Sequence, residues 1–290
     1  MSVFCAPVFH RTTRQRTSVF VAVFALLACA SVHADDEAPA EPASTAPASR
    51  WVLGVAAIRS PDYPGADHGS SKLRPLWAWQ YGRFRISTSR AGGILGFGVD
   101  SPGPGASAEL FSADRFKFGV ALRFDSGRSS TQSAALTGLP DIKRTLRARF
   151  YSSYEIDKHW GLGATLSQDV LGRHGGTIGT LDLGYRARLG EKSEWTAGLG
   201  AAFGSGAYMR TYFGVTDASA MQTGIAAYVP GAGLRDIHGG LGITSALTPH
   251  WIAFAGIGAA SLRGPAAASP LTHASFSTSA STGIAYRWGP

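Results

Sequence analysis

Ser167, Asp169 and His174 are the first residues in the chain whose types and spacing suggest chemistry, a serine, an acid and a histidine within eight positions. A hydrolase needs a serine polarised by a histidine that an acid orients, with oxyanion donors beside it. His174-Gly175-Gly176 superficially resembles such an oxyanion loop, but no Gly-x-Ser-x-Gly turn accompanies it. Ser167 and Asp169 stand two apart, and nothing in the spacing fixes His174 against them. The glycines read equally as allowing a bend with positive φ. The catalytic expectation is therefore none, with a barrel-rim lipid hydrolase kept as the third reading.

Metal and cofactor chemistry find no more support. His68, His159, His174, His238, His250 and His273 are scattered without ligand spacing. His159 and His250 each precede a tryptophan, which suits a turn at a membrane interface. Both cysteines, Cys5 and Cys29, fall inside a predicted export signal, so the mature chain has no disulfide, thiol nucleophile or cysteine-bound metal. No cofactor is expected.

That signal comprises Arg11, Arg14 and Arg16, a short apolar core from Val19 to Ala28, and a small-residue cleavage site at Val32-His33-Ala34. Leu26-Leu27-Ala28-Cys29 loosely resembles a lipoprotein processing box and stays as an alternative. Removing the signal takes away three arginines and leaves 24 basic against 19 acidic residues. No basic face gathers them, which argues against a nucleic-acid partner. Residues 35–50 are acidic and then Ala/Pro/Ser-rich, a disordered lead-in.

The elements that must position everything else are strands. Trp160, Leu162, Ala164, Leu166, Gln168 and Val170 alternate with Gly161, Gly163, Thr165, Ser167 and Asp169. Leu181, Leu183, Tyr185, Ala187 and Leu189 alternate with Asp182, Gly184, Arg186 and Arg188; Trp195, Ala197, Leu199, Ala201 and Phe203 alternate with small residues. Period two is the strand signature, and each run is about as long as a tilted strand needs to cross a bilayer. One face is apolar with terminal aromatics, and the other is small, hydroxylic or charged. With only 16% charged residues, the pattern predicts an all-β transmembrane barrel, antiparallel and up-and-down, over 51–290. About twelve strands are expected, with ten as the fallback. Asp182, Arg186 and Arg188 are then lumen candidates, and Arg147, Arg149, Arg186 and Arg188 are expected to pair with lumen carboxylates such as Asp182.

Even parity requires one strand in the weakly patterned stretch Gly92 to Val99, leaving Ser101 to Asp114 as a longish turn-side loop and Pro75 as a strand end or distortion. Tyr81-Gly82, Asp157 to His159, Gly190 to Ser193 and Thr248 to His250 are tight turns on one side. The segments 60–71, 126–141, 204–233 and 263–273 are long loops on the other. Short periplasmic turns with long external loops are the habit of such barrels.

Several of these junctions carry a resemblance. DYPGAD (Asp62 to Asp67), Gly127-Arg128, GLPDI (Gly138 to Ile142), QDVLGRHGG (Gln168 to Gly176), YMRTYFGV (Tyr208 to Val215), AYVPGAGLRD (Ala227 to Asp236), LTPHW (Leu247 to Trp251) and Tyr286-Arg287-Trp288 occur in order. Together they resemble the MipA/OmpV family, MltA-interacting proteins of Gram-negative outer membranes. The most specific are the two containing Tyr208, Met209, Tyr212, Phe213, Gly214 and Asp236. The resemblance implies an outer-membrane barrel and a scaffold joining a lytic murein transglycosylase to a penicillin-binding protein, and it transfers no catalytic residues. A small-solute channel is the alternative. On this topology the partner-facing surface is the 35–50 lead-in, Ser101 to Asp114 and the tight turns. Barrels of this kind usually end on an aromatic residue, whereas here Trp288 is followed by Gly289-Pro290.

Overall fold

The structure is a computed structural model and describes residues 49–88 and 104–288. The signal, most of the lead-in and the Gly92 to Val99 strand expectation lie outside the described residues. Twelve antiparallel strands close into one barrel, each paired with its neighbours in sequence and the last with the first. They are β1 (Ser49–Pro61), β2 (Gly69–Tyr81), β3 (Phe84–Ser87), β4 (Gly105–Ala113), β5 (Phe116–Asp125) and β6 (Thr145–Glu155). Then follow β7 (Trp160–Asp169), β8 (Thr177–Leu189), β9 (Ser193–Gly204), β10 (Gly233–Ala246), β11 (Trp251–Leu262) and β12 (Phe276–Trp288). Closure sets Trp51 opposite Trp288 and Arg59 opposite Ala280.

The period-two faces behave as the side-chain chemistry dictates. Leu181, Leu199 and Ile257 stand outward and are more than half exposed, while Ser167, Asp169 and Arg147 turn inward and are buried. An outward wall of this kind is stable only against lipid, where the backbone groups are already satisfied by the closed ladder.

Two expectations are corrected. Most of Ser101 to Asp114 is not the expected loop: Gly105–Ala113 is strand β4, and it reaches β5 through Asp114-Arg115 alone. Its outward residues at the β3-facing end, Ala106 and Ala108, are too small to give an apolar rhythm, and the ladder slips between Glu109 and Phe111. Pro75 neither ends nor breaks its strand. It sits mid-β2, paired with Val55 of β1, and is exposed on the outward face.

The two ends differ. At the turn end, β7–β8 and β11–β12 repeat one construction. The Asp157 carboxylate accepts from His159 N and Trp160 N, as Thr248 Oγ1 does from His250 N and Trp251 N. His159 stacks on Tyr185 at 5.6 Å and His250 on Tyr286 at 5.4 Å; Trp160 and Trp251 meet the same tyrosines edge-on.

At the loop end, four connections share a buried core of Tyr63, Ala66, Leu136, Leu139, Val215 and Leu271. Stitching bonds run between them: His273 N to Gly65 O at 2.8 Å, Gln132 Nε2 to Asp62 O at 2.7 Å, Ser269 Oγ to Phe213 O at 2.6 Å and Tyr228 Oη to Pro265 O at 2.9 Å. Gly65 sits at φ +100° with Thr272 against it, a place where a side chain would be strained. These segments form a cap.

Candidate functional site

The segment between β9 and β10, expected as irregular, contains two short helices, α1 (Gly206–Phe213) and α2 (Asp217–Thr223). Ser205 caps α1, its Oγ accepting from Tyr208 N and also from Thr177 N at 3.0 Å, which pins the helix start to β8. The C-terminal cap, Gly214, returns its N–H to Arg210 O. Met209 and Phe213 are fully buried, and together with Tyr208 they pack on Leu262 and Ala266. The family motif thus supplies the inner layer of the cap.

Tyr208 and Tyr212, one turn apart, stack at 4.6 Å between ring centroids. Two arginines from the wall address them. The Arg147 guanidinium lies 5.6 Å from the Tyr208 ring and 5.9 Å from the Tyr212 ring, and Arg235 lies 5.9 Å from Tyr208. Such cation–ring contacts gain strength as water is removed.

Arg147 is the more heavily bound of the two. Its Nε donates to Asp125 Oδ2 at 2.7 Å, and its terminal nitrogens donate to Gly175 O at 2.7 Å and Gly176 O at 3.2 Å. Tyr212 Oη donates to the same Asp125 oxygen at 2.8 Å. Burial raises the Tyr212 phenol above its ordinary range, and the Asp125 carboxylate adds to that. A neutral phenol is what this hydrogen bond requires.

The second chain of contacts starts at Arg235, in a bulge of β10. It donates to Tyr208 Oη at 2.9 Å and pairs with Asp236. His238 Nδ1 contacts Asp236 at 2.7 Å, and Nε2 reaches Asp182 at 3.0 Å across β9. Gly200 makes that reach available, since a Cβ there would lie 2.6 Å from His238 Nε2. A row thus runs from the barrel wall to the cap helix: Asp182, His238, Asp236, Arg235, Tyr208.

Arg147 and Arg186 do pair with inward carboxylates, but not with Asp182. Asp182 joins His238 rather than an arginine. Arg147 pairs with Asp125, Arg186 lies 3.4 Å from Glu194, and Arg188 is exposed opposite Glu194. Ion pairs form where register brings groups level, which the sequence of one strand does not reveal.

Ser167, Asp169 and His174 do not assemble. Ser167 and Asp169 are buried inside the wall, whereas His174 is exposed at φ 62°, its carbonyl accepting from Thr211 Oγ1. The Asp169 carboxylate accepts from Thr145 Oγ1, Gly175 N and Leu171 N, so it holds the β7–β8 loop. Among the described residues no group of three or more His, Cys, Asp or Glu side chains is arranged to hold a metal ion.

Asp125, Arg235 and His238 were not singled out by the sequence reading. Asp236 and His238 are two apart on a strand, a spacing that does place them on one face, and this was the available signal.

The family model for MltA-interacting protein MipA matches residues 53–288. The chain belongs to the MipA family. The match runs from within β1 to the end of β12, and this MipA-family protein is an outer-membrane β-barrel. Comparison with curated proteins gives no match. Among solved structures the MipA-family chain is similar to a KdgM porin in complex with disordered oligogalacturonate, with 10% identity, 81% of this chain and 98% of that chain covered, and a TM-score of 0.42. It is similar to the NanC porin at 9% identity, with 81% and 98% covered and a TM-score of 0.41. An anion-selective porin from Comamonas acidovorans gives 10% identity, 83% and 98% covered, and a TM-score of 0.36.

Proposed function

We propose that this MipA-family barrel works by binding proteins rather than by chemistry, as an outer-membrane scaffold for periplasmic murein enzymes. The observation that carries the reading is the cap. Four connections share one apolar core and α1 is wired to the wall beneath it, features that belong to a closed end rather than an open mouth. The family's own description, MltA-interacting protein, supports a lytic murein transglycosylase as partner, with a penicillin-binding protein as the second enzyme.

Short turns face the periplasm in bacterial barrels, so the docking surface belongs to the turn end. Gly105 to Ala113 leaves that surface, because it is strand β4. What remains is Gly82-Arg83, Asp114-Arg115, Ile156 to His159, Gly190 to Lys192, Leu247 to His250, and the residues that lead into β1.

One observation favours a small-solute channel as the second reading. Arg85, Arg123, Arg147 and Arg149 face inward on β3, β5 and β6, whereas the middle of β10 to β12 presents Gly240, Gly242, Gly256, Gly258, Ser279 and Ser281 inward. Charged rings and patches select ions in pores.

Capture from solubilised envelopes, combined with planar-bilayer recording, separates the two. The scaffold reading expects murein transglycosylase to co-purify with the wild type. Recovery should fall when Lys158 and Lys192 are both changed to Glu, and single-channel conductance should be absent. Steady conductance with no murein enzyme recovered replaces the scaffold with the channel.

A further inference from the structure

Among the described strand residues, the outward face of the barrel carries one charge. Following the ladder pairings round all twelve strands, the outward positions hold aliphatic, aromatic, small and hydroxylic residues, one glutamine, and Arg59. Arg59 is exposed, two residues from the loop end of β1. A charge on the lipid face is costly at the midplane and tolerated close to the interface, so position permits this arginine but does not explain it.

Its surroundings do. Two shallow depressions, of about 620 Å³ and 780 Å³, lie on the outward wall and meet at Arg59, Leu241, Ile257 and Ala280. One extends by Ala57, Ala255 and Thr282 to Trp195. The other extends by Gly239, Ala259 and Leu199 to Tyr185 and Trp160. Their floors are small because the strands leave no room for more: a Cβ on Gly239 would stand 3.0 Å from Gly198 O and 3.5 Å from Leu199 Cδ1. The walls are almost wholly apolar, and both troughs run from the single guanidinium toward the Trp160–Tyr185–Trp195 cluster near the turn end.

We propose that these troughs are a binding site for a phosphorylated, multiply acylated lipid of the outer leaflet, lipid A. Its phosphate pairs with Arg59, and its acyl chains lie in the two depressions. Two apolar troughs converging on one cation match a lipid with more than one chain and an anionic head. A guanidinium meets a phosphate with two parallel hydrogen bonds. The choice of leaflet follows from the loop end facing outward, the habit of such barrels. The site is independent of the scaffold reading, since it lies on the lipid face and uses none of the turn residues assigned to the docking surface.

The test is native mass spectrometry of the full-length protein released from detergent after incubation with lipid A, with lipid A stripped of its phosphates, or with phosphatidylglycerol. Lipid A is expected to stay bound, and the phosphate-free form to be retained at least about tenfold less. Arg59→Gln should lower lipid A retention at least fivefold, and Arg59→Lys should restore most of it. Ala280→Phe, which fills the junction of the troughs, should lower retention of both lipid A forms in protein that still shows the heat-modifiable shift of a folded barrel. Three results overturn the proposal: unchanged lipid A retention in Arg59→Gln, phosphatidylglycerol held as firmly as lipid A, or a concentration-dependent dimer of the wild type that Ala280→Phe abolishes.

Discussion

The loop end and the turn end of the barrel solve opposite problems with the same kinds of residue. At the loop end, tyrosine and arginine are drawn inward: Tyr208 and Tyr212 stack under the cap while Arg147 and Arg235 hold them from the wall. At the turn end, tyrosine faces outward and is clasped by histidine and tryptophan, as Tyr185 is by His159 and Trp160. The first arrangement depends on groups far apart in sequence, the second on neighbours across one hairpin. The loop end therefore stands or falls as a network, whereas each turn stands alone.

The largest effect that would break this contrast is at Arg147. Arg147→Ala leaves the half-buried Asp125 with only Tyr212 Oη and Gly127 N as donors among the described residues. Removing one member of a fully buried pair costs about 3–5 kcal/mol, so the cost here should lie toward the lower figure. The loss should fall on the cap: limited proteolysis within 205–232 should accelerate well before the heat-modifiable shift of the barrel changes. Simultaneous loss of cap and barrel would show that the two are one cooperative unit.

Next in size is Leu183→Arg, on the outward wall midway along β8, which should cost about 2–4 kcal/mol by the depth rule for lipid-facing charge. Urea unfolding in liposomes measures it, and the cap should not be selectively affected. A change smaller than that of Arg186→Ala would reverse the inward and outward assignment of β8.

A smaller effect sharpens the comparison through pH. The folded Tyr212 phenol titrates above its ordinary value, from burial and then Asp125. Its contribution is fully present below the unfolded phenol value of about 10 and is lost as pH rises through the folded value. Cap protease resistance should therefore decline on the alkaline side in the wild type and decline less in Tyr212→Phe. The remainder comes from Tyr63, since burial raises that phenol as well.

The smallest effect is at the other end. Trp160 N and His159 N donate to Asp157 and hold its carboxyl below the usual range. That contribution is present above the unfolded value of about 3.9 and disappears as pH falls through the folded one. Asp157→Ala should speed amide exchange at 156–160 near neutral pH and leave 247–251 untouched. Coupled changes in both turns would contradict their independence.

How much of this was legible follows from the range of the contacts. The wall was readable because Leu181, Leu183 and Tyr185 alternate with Asp182, Gly184 and Arg186, a pattern that needs no tertiary knowledge. β4 was not, because Ala106 and Ala108 meet lipid without standing out as hydrophobic. The cap helix was hidden for a different reason: its eight residues become a helix because Ser205, Leu262 and Ala266 receive them, and only the fold brings those together. Asp182 was visible as a lumen residue, but His238 as its partner depended on the register of β8, β9 and β10 and on Gly200 between them.

The paired clasps on β7–β8 and β11–β12 have a consequence for how such a wall changes over time. Each clasp lies within its own hairpin, and a hairpin adds two strands, so copying one unit preserves inward and outward parity everywhere else. A protein built this way can lengthen or shorten its circumference in whole hairpins, as a chain gains or loses links, while the cap at the far end must be renegotiated at every step.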